Sequence, residues 1–123
     1  MNTAELHERI EHFLSLEEGW DSYGSKTIPP ALVATAHALV DEFPAAFTFA
    51  APLSYGSIQL EYHASDRGGP PRTGQFFEIM LHEDDDLFTI ISGRHGNDGL
   101  EFDNDGEDVS LDEVRAFLRE YRS

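Results

Sequence analysis

Cysteine is absent from the 123 residues, which excludes disulfides, thiolate nucleophiles and every zinc site built on sulfur. Cations are scarce: 8 Lys and Arg stand against 24 Asp and Glu, for a formal net charge of −16. Such a field repels phosphate backbones and anionic lipid headgroups, so direct contact with nucleic acid or membrane is disfavoured, while basic protein surfaces are attracted. Long apolar runs are missing too, and the opening MNTAELHERIEHF has neither the cationic stretch nor the apolar stretch of a signal segment. These absences lead to the expectation of a soluble, cytoplasmic protein. Apolar residues still make up 40% of the chain and aromatics 11%, enough to bury one core, so a single domain over residues 1–123 is expected.

Hydrophobic spacing divides the chain into helical and extended parts. Thr3 can cap a first helix whose apolar face is Leu6, Ile10, Phe13, Leu14 and Leu16, ending near Glu18 where Gly19 tolerates a left-handed cap. A second helix starts after Pro29-Pro30, presents Leu32, Ala36, Leu39, Val40 and Phe43, and stops before Pro44. The period then changes to two. Residues 46–50, 57–63, 75–82 and 87–92 alternate apolar and polar groups, as strands with one buried face do, and the short turn Glu83 to Asp86 suits an antiparallel hairpin. Segment 66–74, DRGGPPRTG, reads as a long loop, and Gly93 to Gly99 as a turn lacking any phosphate-loop or dinucleotide spacing. Ser110-Leu111-Asp112-Glu113 is a capping box ahead of Val114, Phe117, Leu118 and Tyr121. The fold class expected is α+β: two N-terminal helices, an antiparallel meander of three to four strands and a C-terminal helix, with the helices on one face of the sheet.

The only tryptophan lies in Gly19-Trp20-Asp21-Ser22-Tyr23-Gly24. After a glycine that ends a helix, Trp20 is expected to fold back with its indole N–H on one partner, while Asp21 bonds the turn backbone. A ligand-stacking role for Trp20 and Tyr23 is the alternative. This turn, the proline-led helix after it, Ser57-Ile58-Gln59-Leu60-Glu61-Tyr62 and Phe77-Glu78-Ile79 together resemble a group of small uncharacterised bacterial and phage proteins. The resemblance covers roughly residues 13–82. It implies an antiparallel sheet after two helices and carries over no activity.

Acidic residues are concentrated late in the chain. Between Glu83 and Glu113 lie Glu83, Asp84, Asp85, Asp86, Asp98, Glu101, Asp103, Asp105, Glu107, Asp108, Asp112 and Glu113, half of the 24 acids, against the single base Arg94. A solvated surface accounts for many such runs. Carboxylates this dense also repel one another, a cost that a cationic partner relieves. Glu83 to Asp86, Asp98, Glu101, Asp103, Asp105, Glu107 and Asp108 are therefore the expected partner-binding residues. Glu101-Phe102-Asp103-Asn104-Asp105-Gly106 also resembles half of a calcium-binding hand, with Glu101, Asp103, Asp105 and Asp112 as ligands.

On the strands, Glu61 shares a polar face with His63, and Glu78 shares one with His82. A register placing Glu61 across from Glu78 would bring two carboxylates together, for acid–base work or, with the histidines, for a divalent metal. Alternation alone also puts polar residues on a solvated face. The six histidines show no metalloprotease spacing, and no serine elbow stands out. The expectation is a non-enzymatic acidic protein, without cofactor, that binds a basic, nucleic-acid-binding protein. Its most specific form is a phage-type inhibitor that mimics nucleic acid, such as an anti-CRISPR or anti-restriction protein. A calcium-binding module and an immunity or antitoxin protein are the alternatives.

Overall fold

The computed structural model describes residues 2–20, 24–63, 74–82, 87–96 and 99–121. Helix α1 spans Thr3–His12 and passes into a 3-10 turn at Phe13–Ser15, and α2 spans Pro30–Glu42. Five strands follow: β1 Phe49–Pro52, β2 Ile58–His63, β3 Gly74–Leu81, β4 Phe88–Gly96 and β5 Gly99–Val109; α3, Leu111–Tyr121, comes last. The strands form one antiparallel sheet in chain order, β1-β2-β3-β4-β5. This is the α+β architecture expected, with one strand more than the meander of three to four.

Local chemistry accounts for the helix boundaries. Asn2, rather than Thr3, caps α1, its side chain accepting from the Glu5 amide at 2.8 Å; the Thr3 hydroxyl instead donates to the Pro44 carbonyl. The α-helix stops at His12, earlier than Glu18, because the chain tightens into the 3-10 turn that puts Phe13 into the core. Pro30 opens α2, where a missing N–H costs nothing, and Ser110 caps α3 by accepting from the Glu113 amide at 3.2 Å.

One apolar cluster joins all three helices to one face of the sheet. Leu6 and Ile10 of α1, Leu32, Ala36, Leu39 and Val40 of α2, and Val114 and Leu118 of α3 meet Ile58, Leu60, Phe77, Ile79, Leu81 and Ile90. The β2 burial pattern alternates strictly, so Gln59, Glu61 and His63 lie on the face opposite the helices. Polar pairs fasten the helices to each other. His7 and His37 meet Nδ1 to Nδ1 at 2.7 Å, and their Nε2 atoms contact Asp41 at 2.8 Å and Glu11 at 2.9 Å.

Three sequence expectations are corrected. Residues 46–48 precede the first strand instead of belonging to it; Phe47 is nonetheless fully buried, so the alternation there reports burial without a ladder. The turn expected from Gly93 to Gly99 is largely strand, since β4 continues to Gly96 and β5 begins at Gly99. The acidic segment after Gly99, to which the spacing assigns no strand, is the fifth strand, held by its backbone ladder to β4 with register shifts between Ile90 and Ile91 and between Ser92 and Gly93.

Candidate functional site

Around Trp20, Gly19 takes a positive φ of 77° and its amide donates to the Ser25 carbonyl at 2.7 Å. The indole Nε1–H donates to the Lys26 carbonyl at 3.0 Å, closing the turn on itself. That is the structural role expected for Trp20; Asp21 and Tyr23 lie outside the described residues.

The acidic residues divide by position. Glu83 to Asp86 and Asp98 lie outside the described residues. Glu101, Asp103 and Asp108 are exposed on β5, the last strand of the sheet, whose outer edge meets no further strand among the described residues. Asp105 and Glu107 belong to the same strand by their backbone, paired with Ile91 and Ile90. Glu101 pairs with Arg94 at 2.9 Å and Asp108 accepts from the Thr89 hydroxyl at 2.8 Å. Of the residues expected as calcium ligands, Glu101, Asp103 and Asp105 belong to the extended strand β5 and Asp112 lies in the first turn of α3.

On the face opposite the helices the structure brings together residues that the sequence places on separate strands. Glu61 of β2 lies directly across from Glu78 of β3, the register expected. Glu61 Oε1 meets His63 Nε2 at 3.0 Å, and its Oε2 accepts from Gln59 Nε2 at 3.0 Å. The His63 ring stacks on Phe76, with centroids 5.9 Å apart and planes 11° from parallel. One donor atom from each of Glu61, His63 and Glu78 falls within 4.8 Å of the others, and all three residues are half-buried. Burial, and then the Glu61 carboxylate, raise the Glu78 pKa above its ordinary value of 4.5, with His63 opposing.

That shift has a definite sign. Because the folded state favours protonated Glu78, this group's contribution to stability is complete below pH 4.5 and is lost as pH rises through the higher folded pKa. In chelating buffer Glu78→Gln is therefore expected to be more stable than the wild type at neutral pH, by up to about 1 kcal/mol as for other like-charge pairs across strands. Denaturant melts of both proteins from acid to neutral pH check this: the difference should grow with pH, and a constant difference contradicts the raised pKa.

A second arrangement on this face escapes sequence reasoning altogether. Ser57 Oγ meets His82 Nδ1 at 2.9 Å, His82 Nε2 meets Thr89 Oγ1 at 2.9 Å, and Thr89 donates to Asp108. Since the Thr89 hydrogen goes to Asp108, its oxygen accepts from His82 Nε2–H, and in the neutral ring Nδ1 then accepts from Ser57. These bonds tie the start of β2 to the end of β3, the start of β4 and the end of β5; His82 was legible only as a polar neighbour of Glu78. Buried Ser57 gave no signal, because its partner depends on the register of the other strands.

Comparison with protein families, curated proteins and solved structures finds no match. No helix among the described residues is long and apolar enough to cross a membrane.

Proposed function

We propose that the protein is a non-enzymatic acidic interaction protein that engages a basic, nucleic-acid-binding protein through its last strand and the residues flanking it. The observation that carries this reading is the position of β5: exposed carboxylates at Glu101, Asp103 and Asp108 line the final strand of a sheet in a chain of net charge −16. Alternate residues on a strand stand about 6.8 Å apart, so β5, even with its two register shifts, sets several carboxylates at short spacing along one strand, a charge density of the kind a nucleic-acid backbone carries. A partner built to hold phosphates gains two things from such a line, fast encounter in the long-range field and relief of carboxylate repulsion on docking. The specific form proposed is an inhibitor that occupies a nucleic-acid-binding surface, of the kind used against restriction or CRISPR systems.

The test begins with a nuclease-treated affinity pull-down from bacterial lysate at low and high salt, read by mass spectrometry. A stoichiometric basic protein, retained at low salt and released at high salt, is the expected result. Reversing charge at Asp103, Asp105 and Glu107 should then weaken binding to that protein at least tenfold, equivalent to about 1.4 kcal/mol, with reversal at Glu5 and Glu8 changing it far less. Equal losses at both ends would reduce the interaction to nonspecific attraction and refute a dedicated surface.

A further inference from the structure

We propose that Glu61, His63 and Glu78 form a binding site for a divalent transition-metal ion on the sheet face opposite the helices. The donor set is one imidazole nitrogen and two carboxylate oxygens, one from each residue, gathered within 4.8 Å from two hydrogen-bonded strands. Metal–ligand bonds of about 2.0–2.2 Å put neighbouring donor atoms about 3 Å apart at right-angled positions. The Glu61 Oε1 to His63 Nε2 separation is already 3.0 Å. An ion seated to one side of the line between these two atoms displaces the proton they share, and side-chain rotation, including that of Glu78, brings the three donors, already within 4.8 Å of one another, onto it.

The surroundings support that geometry. Gln59 donates to the Glu61 oxygen that does not face His63, which fixes the carboxylate orientation as a hydrogen-bonded neighbour does in established metal sites. The stack on Phe76 holds the His63 ring. Among the described residues nothing donates a hydrogen bond to the Glu78 carboxyl, although it sits half-buried opposite a second carboxylate, an arrangement that costs stability in the metal-free protein. Two carboxylates neutralise a divalent ion, and the overall charge of −16 concentrates cations at the surface.

The chemistry of the donors narrows the ion. Imidazole with carboxylates suits Zn²⁺ or Mn²⁺; calcium takes oxygen ligands and gains nothing from His63. Three protein ligands leave at least one coordination position for water or for an oxygen of another molecule, as in zinc sites that keep an open position.

Calorimetric titration of chelator-treated protein with Zn²⁺, and separately Mn²⁺ and Ca²⁺, tests the site. Expected are one equivalent of Zn²⁺ or Mn²⁺ per chain, weaker or absent Ca²⁺ binding, and a melting temperature that rises with the bound ion. His63→Ala and Glu78→Gln should each weaken binding tenfold or more and abolish the thermal shift, whereas His37→Ala, on the helical side, should leave both unchanged. Glu78→Gln is the decisive variant, since it is nearly isosteric and removes one of two opposed carboxylates, so a metal-free melt at or above the wild-type midpoint separates its loss of binding from a loss of fold. No saturable binding, or binding that persists in either His63→Ala or Glu78→Gln, overturns the proposal.

Discussion

Gly93→Ala is expected to destabilise the fold by about 3 kcal/mol, at or above the upper end of ordinary overpacking. A Cβ at this position would collide with the Glu101 carbonyl oxygen and stand 3.0 Å from the Phe102 Cα, both backbone atoms of β5 that no side-chain rotation can move aside. Gly93 is also where the β4–β5 register shifts, so the two backbones approach each other through the space a side chain would take. Phe76 from β3 and Phe102 from β5 meet edge to face at 6.0 Å over this position. The substitution must therefore push β5 off the sheet or break its pairing, and the acidic edge moves with it. Denaturant unfolding measures the cost; a midpoint close to the wild type would mean that β5 is not paired at Gly93.

Phe77→Ala should cost about 3–5 kcal/mol, the range for emptying a fully buried phenylalanine. Marginal stabilities of about 5–15 kcal/mol leave little after such a loss. The ring is fully buried and its contacts include Phe47 ahead of β1 at 5.9 Å and 78°, Tyr62 of β2 at 5.5 Å and 23°, and Phe117 of α3 at 5.5 Å and 89°. Its removal opens a cavity where the sheet, the segment entering it and the last helix meet. Phe77→Leu retains most of the volume and should cost distinctly less. Equal effects of the two substitutions, or a cost below about 1 kcal/mol for alanine, would show that α3 does not pack on Phe77.

The parts of this fold that the sequence displays are those in which burial repeats with a fixed period. α2 is bounded by two prolines and a clear apolar face, and β2 and the Phe77–Leu81 part of β3 alternate so strictly that a one-residue slip would turn Leu60 and Ile79 out of the core. That constraint is why Glu61 could be set opposite Glu78 beforehand. β5 has no such signature: Leu100 and Phe102 are half exposed, and the residues between and beyond them are carboxylates, an amide and Gly106 until Val109 meets the core at the end of the strand. Its extended form comes from backbone pairing with β4, which leaves no mark on the side-chain pattern, and dense acids are ordinary on an edge strand. The end of α1 was misplaced because Phe13 and Leu16 fit a helical stripe while tertiary packing drew the chain into a tighter turn. At the candidate site, the opposed carboxylates were legible and their supports were not. Gln59 on Glu61, and Ser57 on His82, are rotamer choices made only once the strands are in register.

The order of the sheet bears on how the chain reaches this state. Every hydrogen-bonded strand neighbour is also the next strand in the sequence, so each pairing closes a short segment and forfeits little chain entropy. The distant closures belong to the helices: Thr3 reaches Pro44 across 41 positions, and Arg115 of α3 reaches Glu42 of α2 across 73. Topologies dominated by local contacts fold faster than those that must join remote segments. The meander can therefore assemble hairpin by hairpin, while the slow search is for the arrangement in which both ends of the chain seal the same side of it.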